Sequence, residues 1–157
     1  MSKIIKQKIK CPKCNNEQEC SLYSSINVTV DPKLKEKISD NSFNLFECEK
    51  CNLKAPIGIE CLYHNMDKGN EFAVWYTPNG INESHQKFTQ MGNRLLGADN
   101  YMSRTLFFKD RLSFVLGVRL CETDGSPKTQ ETVDKYYTEV DKMKKEIEQA
   151  MQAVQNQ

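Results

Sequence analysis

Cys11-Pro12-Lys13-Cys14-Asn15 and Cys48-Glu49-Lys50-Cys51-Asn52 are one turn written twice. Both read C-x-K-C-N, and 33 residues separate Cys14 from Cys48. Two residues between cysteines let a tight turn aim both sulfurs at one point while its backbone amides face them. A second such turn completes a closed tetrahedron of thiolates at Cys11, Cys14, Cys48 and Cys51, the usual form of structural Zn²⁺. Asn tolerates positive φ better than any residue except Gly, which suits the position just past each turn. Four thiolates leave the site negative, and Lys13 and Lys50, inside the turns, offset that charge.

Iron fits the same four sulfurs, so the spacing leaves it open beside zinc. A redox dithiol needs only one CxxC, commonly at a helix N-terminus that lowers the thiol pKa. Asn15-Asn16-Glu17 and Asn52-Leu53-Lys54 open no obvious helix. Cys20, Cys61 and Cys121 are left over and read as small buried apolar residues.

Outward from the turns, the pattern alternates. Lys3 to Lys10 intersperses lysines with Ile4, Ile5 and Ile9, an exposed strand leading into the first turn. Leu22, Ser24, Ile26, Val28 and Val30 recur at every second position as the strand leaving it. Asp31-Pro32 then reads as an N-cap followed by proline at the first helical position, opening a short helix with Leu34 and Ile38 inward and Asn41 at its end. Phe43, Leu45 and Phe46 lead as a strand into Cys48, and residues 55–63 leave the second turn as another. Strand-turn-strand on both sides of a metal describes a zinc ribbon carrying a helical insertion.

Further along, residues 71–77 (Glu-Phe-Ala-Val-Trp-Tyr-Thr) read as a buried strand stopped by Pro78-Asn79-Gly80. A helix over about 84–96 places Phe88, Met91 and Leu95 on one face and ends at Gly97. Its neighbour His85 reads as a surface residue. Residues 101–108 suggest a strand. Asp110 caps a helix carrying Leu112, Val115, Leu116, Arg119 and Leu120 and ending at Gly125. Val133, Tyr136, Val140, Met143, Ile147, Ala150 and Val154 then keep an unbroken 3-4-3-4 spacing, the stripe of a long amphipathic helix. The expected class is therefore α+β. A zinc-ribbon-like β core with two CxxC knuckles and a short inserted helix occupies 1–125, and the C-terminal amphipathic helix occupies 126–157. That narrow stripe packs on its own domain or serves as a homo-oligomer or partner seam.

Composition limits the function. The chain has 157 residues, with 22 Lys and Arg against 21 acids, a formal charge of +1. Such a balance creates no global field to steer nucleic acid or an anionic membrane. No stretch reaches the roughly 20 apolar residues that span a bilayer, and the N-terminus lacks the apolar core of a secretory signal. The expectation is a cytoplasmic protein with no membrane partner, where seven cysteines point to metal ligation before disulfides.

Together, Cys-Pro-Lys-Cys at 11–14, Ser25-Ile26-Asn27-Val28-Thr29-Val30-Asp31-Pro32-Lys33-Leu34, Phe46-Glu47-Cys48-Glu49-Lys50-Cys51 and Leu62-Tyr63-His64 resemble the CpXC domain, a prokaryotic family named for its two cysteine pairs. The resemblance is close over residues 9–78 and looser over 100–125. It implies a zinc-ribbon-like core. The chain departs from the family's pattern in two places: the second pair is C-E-K-C without proline, and Asn65 stands where an aspartate tends to follow Leu-Tyr-His, with Asp67 two positions on.

Three functional classes follow. The first is a module with a structural four-cysteine zinc site that acts in protein interaction. The second is nucleic-acid binding through Lys3, Lys6, Lys8, Lys10, Lys13 and Lys54 beside Tyr23 and Phe46. The third is an enzyme using His64 and Asp67, the one cluster suited to acid-base work. His64 otherwise reads as a turn residue bonded to backbone. No catalytic nucleophile, phosphate loop or dinucleotide fingerprint accompanies it.

Overall fold

Alternation in the first 27 residues produces an antiparallel ribbon, β1 (Lys3–Lys10) with β2 (Glu17–Asn27), which carries the first cysteine turn at its tip. Ile4 lies opposite Tyr23 and Ile9 opposite Gln18, with a bulge between Lys3 and Ile4. The chain then forms α1 (Leu34–Ser39), the short pair β3 (Leu45–Glu47) and β4 (Lys54–Pro56), and the central strands β5 (Cys61–Asn65) and β6 (Phe72–Tyr76). Helix α2 (Glu83–Leu96), strand β7 (Leu106–Phe108) and helix α3 (Arg111–Asp124) follow. The computed structural model describes residues 1–124 together with Glu131, Asp134, Thr138, Asp141, Lys142, Lys145 and Gln149.

Five strands form one mixed sheet in the order β1-β2-β5-β6-β7, while β3 and β4 pair separately. β2 and β5 run parallel, as do β6 and β7. Parallel neighbours need a long crossover: α1 with the β3–β4 hairpin supplies the first, and α2 supplies the second. Trp75 and Tyr76 are consecutive on β6 and so point to opposite faces. On one face Tyr76 meets Phe43 and Phe114 of α3, with centroids 6.4 and 5.7 Å away. On the other, Trp75 packs edge-on against His85 and Phe88 of α2 at 4.4 and 5.2 Å and stacks on Phe107 at 6.2 Å. The sheet is thus covered on both sides. It is a larger core than a ribbon alone.

Several expectations shift. β2 ends at Asn27 because Asn27 Oδ1 accepts from the amides of Thr29 and Val30 and turns the chain. Asp31 does not cap α1; Lys33 holds that position, and Asp31 Oδ2 accepts from Ser2 N instead. The expected strand over 55–63 is two strands in two different sheets, interrupted at Ile57-Gly58-Ile59-Glu60. The strand over 101–108 shortens to β7, since the amides of Met102 and Ser103 bond to Asn100 Oδ1 and form a turn. Asp110 does cap α3, its Oδ1 accepting from Ser113 N at 2.8 Å. On that helix Phe114, Val115, Val118 and Cys121 are buried, whereas Leu112 is exposed.

Helix α2 departs most. Its inward face carries His85 and Gly92, while Met91 and Leu95 are 46% and 71% exposed. The expected surface residue His85 is fully buried. Its Nδ1 accepts from Asn82 N at 2.9 Å while Asn82 Oδ1 accepts from Ser84 N, a capping box that draws the imidazole under the helix. Gly92 sits inward because a Cβ there would lie 2.5 Å from Met102.

The chain divides into two compact units, Met1–Pro127 and Lys128–Gln157. In the second, the described residues are helical and exposed, and Thr138 Oγ1 donates to Asp134 O at 2.9 Å. The apolar stripe from Val133 to Val154 lies outside the described residues, as does the stop at Gly125.

His85→Ala removes both the cap and the ring packing and should cost about 2–4 kcal/mol in urea unfolding. Met91→Ala, on the face that the periodicity places inward, should change stability by no more than about 0.5 kcal/mol. Equal effects would contradict this assignment of faces.

Candidate metal centre

Each cysteine pair occupies the turn of an antiparallel hairpin, the first between β1 and β2 and the second between β3 and β4. The two turns close with the same bonds. Cys11 N donates to Asn16 O and Asn15 N to Cys11 O, at 2.8 and 3.0 Å; Cys48 N donates to Leu53 O and Asn52 N to Cys48 O, at 2.9 and 2.8 Å. Asn15 and Asn52 have φ of 58° and 56°, so the repeated Asn does occupy the left-handed position. These turns bring Cys11 Sγ to 3.6 Å from Cys51 Sγ and Cys14 Sγ to 3.5 Å from Cys48 Sγ, and all four sulfurs lie within 4.8 Å of one another. Cys11 and Cys48 are buried, Cys14 and Cys51 half-buried. Phe46 is buried beside them, with Ile9, Leu53 and Ile57 packed around the group.

Four thiols at one point can hold a metal ion, and the surroundings favour the ionised form of one of them, Cys48. Burial alone would raise the Cys48 thiol, but the amides of Cys51 and Lys50, together with hydrogen bonds from the Cys14 and Cys11 thiols, bring it down to about 6. At Cys51 the Leu53 amide pulls downward, yet burial and the three neighbouring sulfurs push the thiol up to about 12. Accumulating negative charge on one spot opposes the last ionisation, and a central cation removes that penalty.

Two amide side chains that the sequence reading did not single out seat the second hairpin on the first. Gln18, on β2, donates from Nε2 to Glu47 O at 2.8 Å and accepts at Oε1 from Glu49 N at 3.0 Å. It therefore grips the backbone on both sides of Cys48. Asn44, just before β3, accepts from Tyr23 N at 2.6 Å and donates to Tyr23 O at 2.9 Å. That bonding imitates a strand partner along β2 where β5 has not yet begun. Both contacts are to main-chain atoms distant in sequence, so residue identity signals neither.

The other candidates do not assemble. His64 belongs to β5 rather than to a turn, and its Nδ1 is buried without a hydrogen-bond partner, contrary to a backbone-bonded ring. Asn65 is fully buried, its Oδ1 accepting from Asp67 N and Thr29 Oγ1, while Asp67 is exposed. No bond or ion pair joins His64 to Asp67 among the described residues. Burial lowers His64 from 6.5 to about 4. Of the basic set, Lys6 pairs with Glu19 at 2.8 Å and Lys54 with Glu47 at 3.2 Å. Phe46 is buried and offers no stacking surface for a base. Cys61 and Cys121 are buried as expected, and burial pushes Cys61 up to about 12. Cys20 is only half-buried, packed against the four-sulfur group. No described helix is long and apolar enough to cross a membrane.

Two CxxC hairpins thus meet at a single four-sulfur point that could hold a metal ion. A family model described as CpXC protein matches residues 9–156, well beyond the segment on which the resemblance rests, and the chain belongs to that family. No curated protein and no solved structure matches it.

Asn52→Ala should cost about 1–2 kcal/mol, because a Cβ is disfavoured at its left-handed φ, whereas Asn52→Gly should be close to neutral. Thermal melting of both variants checks this. The unfolded chain protonates His64 before the folded one, so the stability due to neutral His64 is complete above pH 6.5 and is lost as pH falls toward 4. His64→Asn should flatten the fall of the urea midpoint across that window; an unchanged slope would mean that the ring is not held neutral.

Proposed function

We propose that the four cysteines hold Zn²⁺ in a closed structural site at the apex of a zinc ribbon, and that the chain acts as a protein-interaction module. The observation that carries the metal reading is the sulfur geometry. A tetrahedron with Zn–S bonds of about 2.3 Å has edges of about 3.8 Å, and the two close sulfur pairs stand 3.6 and 3.5 Å apart. Cysteine turns with amides directed at the sulfurs supply the donor set that zinc prefers over harder cations.

The apolar cluster where the two hairpins meet is small, Phe46 with Ile9, Leu53 and Ile57 around the cysteines, so the role of the centre is to supply folding free energy at that junction. All four positions are protein sulfurs, which leaves none for an activated water and separates this centre from catalytic zinc. Seven cysteines, with all four ligands required as free thiols, suit a reducing compartment such as the cytoplasm. Interaction is favoured over nucleic-acid binding by the near-neutral charge and by the pairing of Lys6 and Lys54 with acids.

Elemental analysis of purified protein should give about one zinc per chain, and Co²⁺ exchanged into it should show the intense visible absorption of tetrahedral thiolate coordination. Cys48→Ser should lose metal and either melt lower or become insoluble. A soluble Cys48→Ser chain with unchanged melting would defeat the structural role. A coloured protein containing iron would defeat zinc and leave the four-sulfur site standing.

A further inference from the structure

β1 is the edge of the sheet, with eight residues and only β2 beside it. Among the described residues, no strand pairs with β1 along its outer side. An exposed edge of this length is a template for another strand. Beside its first half lies a groove of about 570 Å³, walled by Ile4 and its cross-strand neighbour Tyr23, by Val30 and Pro32, and by Leu34 of α1. Ile4 and Val30 are 54% and 56% exposed, so apolar surface is presented to solvent beside open hydrogen-bonding groups. Asp31, also in the groove, is occupied by Ser2 N at 3.4 Å, and Lys33 adds a cation at the rim.

Charge selects the occupant. Lys3, Lys8 and Lys10 form no ion pair among the described residues, and β1 contains no acid. A second copy pairing edge to edge would bring the lysines of both strands onto one ribbon, where like charges facing each other are destabilising. An extended acidic segment meets the opposite situation. We propose that β1 is a docking edge for an acidic, extended polypeptide segment, which adds as a further strand and places one apolar side chain in the groove between Ile4 and Leu34. Main-chain bonds supply affinity and the groove supplies selectivity, the division of labour of strand addition. This rests on the reading of the chain as an interaction module and names the partner chemistry. It does not depend on which metal fills the centre.

The test uses the full metal-loaded chain and a blocked peptide as long as β1, alternating Glu with Val and carrying one Leu. The peptide should slow backbone amide exchange at residues 3–10. Binding should weaken about tenfold when alternate peptide amides are N-methylated, and it should weaken as salt is raised. Ile4→Glu, at an exposed position on the groove wall, should weaken it to a similar extent with melting and metal content unchanged. Equal binding of a Lys/Val peptide, equal binding of the N-methylated peptide, or no protection of residues 3–10 at saturating peptide overturns the proposal. So does a free chain that doubles in mass with the same amides protected, since a second copy then occupies the edge. Metal content is measured on the same sample, so failure in a loaded chain overturns the docking edge alone and leaves the metal reading standing.

Discussion

A hairpin with three paired residues in each strand, such as β3–β4, does not hold its own position; isolated two-stranded pairs are marginal even when longer. Its placement against the β1–β2 ribbon is the constraint on which the rest depends. The four sulfurs meet only if it docks. The same crossover must also deliver β5 into the sheet beside β2. Three kinds of contact seat it: buried Phe46 and the cysteines, the Gln18 grip around Cys48, and the Asn44 bond to Tyr23. A metal bound by one pair from each hairpin would tie the same two pieces together, so side-chain amides and thiolates reinforce one geometry.

The other side of the crossover is pinned by arginine. Arg111, at the start of α3, lies over the Phe43 ring at 3.8 Å and donates to Asn41 Oδ1 at 2.7 Å and to the carbonyl oxygens of Asn41 and Phe43. Further along α3, Glu122 accepts from Tyr63 OH of β5 at 2.6 Å and from Lys35 of α1 at 2.8 Å. Burial, followed by that carboxylate, holds the Tyr63 hydroxyl well above the ordinary tyrosine range, so it stays a donor. The segment carrying the second cysteine pair is therefore anchored at its start to α3 and at its end to β2. The centre can be closed because the scaffold around it is.

Legibility varied with the range of the physics. The knuckle turns were readable down to the Asn at positive φ, because a turn is decided by a few adjacent residues. The buried strand β6 was readable because apolar residues on both faces leave no other solution. The helix stops at Asn41 and Gly97 were readable for the same local reason, with φ of 59° and 84°. The inward face of α2 was not, since periodicity favours Met91 and Leu95 over a histidine and a glycine. Only the neighbouring Trp75, Phe107 and Met102 make those two the residues that fit.

By itself, then, the sequence determined the two cysteine turns, the identity of the four sulfurs, the α+β class and most strand positions, all of which follow from spacing and local backbone preference. Tertiary structure alone decided that β2 and β5, and β6 and β7, run parallel in one sheet. It also decided that residues 55–63 divide between two sheets, that His85 is buried, and that His64 and Asp67 do not meet. Each of these turns on groups far apart in the chain competing for the same space or the same hydrogen bond, and a linear pattern carries no record of that competition.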